Sequence, residues 1–188
     1  MTSTLSATQI PGYVAGTWDI DASHSTVGFS VRHMMVSKVR GYFREFGGEI
    51  VTAEDPARNG VTAVVELASI DTRQEQRDAH IRSADFFDVE NHPRMTFRST
   101  GVRAEGGDWF VDGELTLKGR TRPVTLALEL NGFGADAYGG YRAGFSARTE
   151  INRNDFGVDI KMPMDGGGVV VGDKVAIELE IEAVLRTA

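Results

Sequence analysis

From Thr17 onward apolar and polar residues alternate with period two. Val27, Phe29 and Val31 share one face of a stretch whose other face carries Gly28, Ser30 and Arg32. Such alternation predicts a strand with one side buried and the other in water. Val39, Gly41 and Phe43 begin a second run, and its phase slips to Phe46, Gly48 and Ile50, which predicts a bulge near Arg44–Glu45. Val61, Ala63, Val65 and Leu67 follow the turn signals Asp55-Pro56 and Asn59-Gly60. Further runs lead through Met95, Phe97 and Ser99, then Trp109 to Leu117, Val124 to Leu130, Ala143 to Ile151 and Val175 to Ala183. Turns at Glu105–Asp108 and Lys118–Arg120, and the glycine-rich loop Asn131–Gly140, separate them. The pattern predicts an all-β fold of about eight antiparallel strands, and meanders of this kind commonly close into barrels that leave no free edge.

One stretch departs from the alternation. Asp71–Phe97 reads as helix and loop. Thr72 and Glu75 have capping-box spacing, in which each side chain satisfies a backbone donor of the other. Arg73–Ser83 is rich in helix formers, and Pro93 biases His92 towards extended structure. This predicts one short helix between the third and fourth strands. Residues 1–16 lack periodicity and read as a flexible lead-in to a single barrel domain over residues 17–188.

Composition narrows the classes. The chain has 27 acidic and 20 basic residues and no long basic run, which argues against general nucleic-acid or anionic-membrane binding. Cysteine is absent, so disulfides, thiol nucleophiles and zinc–thiolate sites are excluded. No apolar run is long enough for a membrane-spanning helix. The N-terminus has neither the basic nor the apolar region of a secretory signal, and the expected location is the cytoplasm.

The candidate chemistry is sparse. His24, His33, His80 and His92 form no close ligand pair, so no metal site is expected. Asp21, His24 and Ser25 lie too close together on one strand entry for a nucleophile triad, and no Gly-x-Ser-x-Gly elbow is present. The run Asp165–Gly168 is not a phosphate loop, since no Lys-Ser/Thr follows it. Arg153, Asn154 and Asp155 read as a polar turn, serving either a structural network or an arginine at the rim. Met162 and Met164 flank Pro163 in a loop that suits either a lipid portal or packing on the barrel end. No catalytic residue is assigned, and the protein is not expected to be an enzyme.

Several runs, taken in order, carry a resemblance. They are Asp19–Ser25 with Phe29, Val31 and His33; Val39–Phe43; Ser69–Thr72; Arg77–Pro93; Gly113–Gly119 with Pro123-Val124; and Ala147–Gly157. With these the chain resembles the YceI-like family of lipocalin-type isoprenoid-binding proteins. The resemblance implies an eight-stranded antiparallel lipocalin-like β-barrel that holds a prenyl quinone or polyprenyl phosphate in an apolar pore. It also implies a homodimer, with no required cofactor beyond the bound lipid. Many relatives are exported, and the expectation of a cytoplasmic member departs from them.

Alternation alone favours a packed interior; the family implies a cavity. On the second reading Phe29, Val31, Phe97, Trp109, Val111, Leu126, Phe145 and Ile177 line an isoprenoid tunnel. His33 shares their parity near a barrel mouth, as a structural histidine or a head-group contact. Ile81, Ala84, Phe86 and Phe87 form the apolar underside of a lid or a plug, with Arg77 and Arg82 towards water. The expected function is non-catalytic binding, sequestration or transport of the lipid. The alternative is a dimeric stress-response or scaffold barrel whose ligand is incidental.

Overall fold

The computed structural model describes residues 6–162, 164, 168 and 170–187, so Pro163 and most of the Asp165–Gly168 run lie outside the described residues. Its strand segments are β1 (Gly16–Ile20), β2 (Thr26–His33), β3 (Ser37–Phe43), β4 (Phe46–Thr52), β5 (Gly60–Glu66), β6 (Ile70–Asp71), β7 (Arg94–Glu105), β8 (Asp108–Leu117), β9 (Arg120–Ala135), β10 (Tyr141–Asn152) and β11 (Val171–Leu185). One α-helix, α1 (Glu75–Arg82), separates β6 from β7. The ring runs β1, β4, β5, β7, β8, β9, β10, β11 and back to β1, with every pairing antiparallel. It is a closed eight-stranded barrel. β2, β3 and β6 prolong it at one end: β11 pairs first with β2, as Leu179↔Val27, and then with β1, as Ala183↔Ile20.

The eight strands expected from alternation form the ring, but the helix position read from the sequence is not exact. Each of the first three long strands is broken once, at Asp21–Ser25, at Arg44–Glu45 and at Leu67–Ser69. The helix therefore follows the sixth segment and precedes the seventh. At the second break the chain shifts phase where the slip from Phe43 to Phe46 requires it.

Two apolar clusters mark the ends of the barrel. At the end carrying α1, Phe43, Leu67, Ile70, Phe86, Leu115, Leu117, Phe156 and Val158 are buried together. At the opposite end Trp18, Ala143 and Ala183 are fully buried, with Ile50, Phe133 and Phe145 against them. Two glycines let aromatic rings cross the inner wall of the barrel. The Phe97 ring lies over Gly113 and the Phe29 ring over Gly41, where any Cβ would collide with it.

The helix starts later than the capping-box spacing suggests. Arg73 adopts a left-handed backbone (φ 66°), and Gln74 becomes the cap, its side chain accepting from the Arg77 N–H. Thr72 is held by Asp78 instead: Asp78 Oδ1 accepts from the Thr72 N–H (2.9 Å) and hydroxyl (2.5 Å). Arg77 turns back rather than facing water, donating to Thr72 Oγ1 (2.8 Å) and to its carbonyl (2.7 Å). Arg82 pairs with Glu75 at 2.7 Å, and Ala84 is exposed, so it is not part of an apolar underside. Among the described residues no helix is long and apolar enough to cross a membrane.

Candidate functional site

Between the two clusters lies a cavity of about 200 Å³. It extends along the barrel, from Ile10, Tyr13 and Phe133 at one end to Val27, Leu115 and Val124 at the other. Every ring strand contributes residues of its inward parity. Val61, Ala63 and Val65 come from β5, Trp109 and Val111 from β8, Leu126, Leu128 and Leu130 from β9, and Ile177, Leu179 and Ile181 from β11. Ala63 and Ala147 line the wall where a larger residue would fill the space. Among the described residues, no Asp, Glu, Lys, Arg or His lines it. An ionised group placed inside would lose its hydration with no counter-charge, at a cost that burial of methylenes cannot offset cheaply.

Of the polar lining residues, Thr96 and Thr149 lie towards the α1 end, while Tyr13, Thr52 and Asn59 gather at the end opposite α1. There residues 6–15 lie across the barrel as a strap, with one turn of 3-10 helix at Ala7–Gln9. Tyr13 donates its hydroxyl to the Ala53 carbonyl (2.6 Å) and to Asn59 Oδ1 (2.9 Å), and its ring meets Phe133 edge-on at 5.3 Å. Burial pushes the Tyr13 phenol above its ordinary pKa. Tyr141 donates to the Gly12 carbonyl (2.5 Å), at a turn where Gly12 has φ 75°. Thr52 ties the strap to the core: it accepts from Trp18 Nε1 (2.8 Å) and donates to the Val14 carbonyl (2.7 Å). A second cleft of mixed lining, bordered by Ser6, Gln9, Pro11, Gly107 and Asn131, flanks the strap, and Ile10, Trp109, Leu130 and Phe133 face both spaces.

Six of the eleven side chains expected at a ligand line the cavity: Phe97, Trp109, Val111, Leu126, Phe145 and Ile177. Phe29, Val31 and His33 share their parity but lie further along β2. Phe29 stacks obliquely on Phe43 at 5.6 Å, Val31 sits between Val39 and Val175, and His33 sits between Ser37 and Val171. Phe86 is buried in the cluster at the α1 end, with Phe87 packed against it, and neither lines the cavity. Sequence reasoning missed Ile10, Tyr13, Thr52, Asn59 and Phe133. The signal was available in Ile10-Pro11-Gly12-Tyr13, two apolar side chains around a turn.

The remaining polar candidates serve structure. Asp21 accepts from Ser23 N–H and Oγ and faces His24 Nδ1 at 2.8 Å, while Ser25 Oγ bonds to the backbone of Glu182. Bonds from Ser23, Arg142 and His24 hold the Asp21 carboxyl far below the usual carboxylate range. Arg142 also pairs with Asp136 (2.8 Å) and Glu182 (2.9 Å), forming an ion cluster outside the barrel wall. Arg153 is buried, and its guanidinium donates to the carbonyls of Gly172 (2.9 Å) and Val158 (2.7 Å). It fastens the turn at residues 153–156 to β11 rather than facing a ligand.

A closed antiparallel barrel with an uncharged, elongated interior cavity defines a lipocalin-like architecture. Residues 18–183 match the family model of the YceI-like domain, and the chain belongs to that family. A UPF0312 protein of Photorhabdus laumondii is 44% identical over 139 residues, covering 73% of this chain and 72% of the relative. Among solved structures, Burkholderia cenocepacia BcnA superposes with a TM-score of 0.73 at 22% identity, covering 87% of this chain and 98% of its own. A polyisoprenoid binding domain from Saccharophagus degradans gives 0.68 at 16% identity, covering 92% and 100%. At these identities the two structures speak for the fold alone.

Proposed function

We propose that this protein binds an isoprenoid lipid in its barrel and sequesters or carries it without transforming it. The carrying observation is the cavity: about 200 Å³, lined from end to end by neutral and mostly aliphatic or aromatic side chains. Pockets for compact drug-sized ligands run to about 300–1,000 Å³, and a thin chain suits this narrower, elongated space better. Each buried methylene contributes about 0.8 kcal/mol, so a few isoprene units supply binding energy without a polar contact. Membership of the YceI-like family and the polyisoprenoid-binding domain that shares the fold support the same reading. The tail lies inside, and the head group sits at the strap end, where Tyr13, Thr52 and Asn59 supply the polar atoms. A neutral head such as a quinone suits these groups directly; a phosphate head must project past the strap into water.

Delipidated protein titrated with lipids that share one prenyl tail but differ in head group tests this. Saturable binding that weakens as the tail is shortened is expected. Ala147→Phe, which fills the cavity from β10, should abolish binding while leaving the thermal midpoint unchanged or raised. Unaltered affinity in that variant would place the ligand elsewhere.

A further inference from the structure

The β2–β3 hairpin stands at the α1 end, away from the strap, and its tip is unlike the rest of the surface. Met34, Met35 and Val36 are 42%, 54% and 83% exposed, three consecutive apolar side chains facing water. Met34 and Met35 form a two-residue turn, closed by the Val36 N–H on the His33 carbonyl (3.1 Å), with φ of 50° and 63°. Turns of this kind are dominated by Gly, Asn and Asp, so two methionines here keep apolar bulk at the tip against local backbone preference.

Behind the tip the strand register gathers positive charge. Arg32 lies directly opposite Lys38, and Arg40, opposite Ser30, follows on the same face. Like charges directly opposite each other are destabilising. All three are exposed, and among the described residues no carboxylate comes within ion-pairing distance of them. On other strands Arg94, Arg98, Arg103 and Arg142 each pair with an acidic neighbour, whereas Arg120, Arg122 and Arg148 form no ion pair among the described residues; what sets the hairpin apart is that its cations stand directly behind an apolar tip. The chain as a whole carries a charge of −7, so this cationic face is a local concentration within an acidic protein.

We infer that the β2–β3 hairpin docks on an anionic lipid bilayer, its Met34–Val36 tip entering the interface and Arg32, Lys38 and Arg40 meeting the head groups. A convex apolar tip backed by cations matches the layering of such a surface, with acyl chains below and negative charge above. A second copy fits less well, because twofold pairing through this hairpin would set the same three cations against each other. The inference does not depend on what fills the cavity.

Co-sedimentation with vesicles of phosphatidylcholine alone, or of equal parts phosphatidylcholine and phosphatidylglycerol, tests it with the full chain. Binding to the anionic vesicles only is expected, and high salt should reverse it. A cation near such a surface contributes about fivefold in affinity, so R32S/K38S should bind roughly twenty-five-fold more weakly. Val36→Ser, at an exposed site, should weaken binding without altering the thermal midpoint or the elution volume of the free protein. No binding to either vesicle, equal binding to both, or variants that bind like the parent would overturn the inference. So would a change of oligomeric state in Val36→Ser, which would make the tip a contact between copies.

Discussion

Thr52 is a small residue on which two parts of the molecule depend. Its hydroxyl accepts from the buried Trp18 indole and donates to the strap carbonyl of Val14. Thr52→Val keeps the shape and removes both bonds, leaving a buried indole N–H without a partner. The expected cost is about 1–3 kcal/mol, read as a lower denaturation midpoint with an unchanged slope. Arg142 gives a second residue-scale prediction. The Arg142 guanidinium, with the backbone N–H groups of Gly140 and Tyr138, holds Asp136 below the usual carboxylate range, and Asp21 is held down as well. A carboxyl with a lowered folded-state pKa adds stability that is fully present above its unfolded value, about 3.9, and is lost as pH falls through the folded value. The thermal midpoint should therefore hold down to about pH 5 and decline below about pH 4. In Arg142→Gln the midpoint should be lower at neutral pH and its acid-side decline shallower; curves that stay parallel would count against the pairing.

At the scale of elements, alternation identified the inward face of every long strand but not what each inward side chain packs against. Phe29 and Val31 have the parity of Ile177 and Phe97, and Phe29 even pairs with the cavity-lining Ile177, yet neither lines the cavity: the Phe29 ring packs on Phe43 in the α1-end cluster. Period two reports which side a residue faces; what its side chain packs against there is set by tertiary contacts that the alternation does not carry. The helix was legible from composition, whereas its cap was not, because Asp78 bonds to Thr72 across the turn that Thr72–Glu75 spacing seemed to explain. The cation pair Arg32–Lys38 was hidden for the same reason: residues six apart become neighbours only through the hairpin. The strap had no periodicity to read. Its hold on the barrel rests on Tyr13, Thr52 and Tyr141, and on the proposed function ligand access is expected at the strap end. Tyr13→Phe removes two hydrogen bonds, together worth about 1–3 kcal/mol. Displacement of a fluorescent prenyl probe should then speed up about fivefold or more, while global unfolding shifts less than exchange does. An exchange rate equal to the parent's would move the portal elsewhere.

For the whole molecule, the two apolar clusters and the cavity between them divide the labour of the barrel. The α1 end is packed by Phe43, Phe86, Leu117 and Phe156 and secures the fold; the middle is left open by Ala63 and Ala147 and carries the site. Segment Asp71–Phe97 thus closes the barrel floor, and on the proposed function the strap at the other end is where exchange is expected. The proposed function requires the open middle of the barrel to hold an isoprenoid chain. Mass spectrometry of organic extracts, from protein purified out of its native host, tests it most directly. One isoprenoid species at about one equivalent per chain is expected in the parent, with its loss in Ala147→Phe. Parent protein that is consistently free of lipid, or that carries the same lipid as Ala147→Phe, would contradict it.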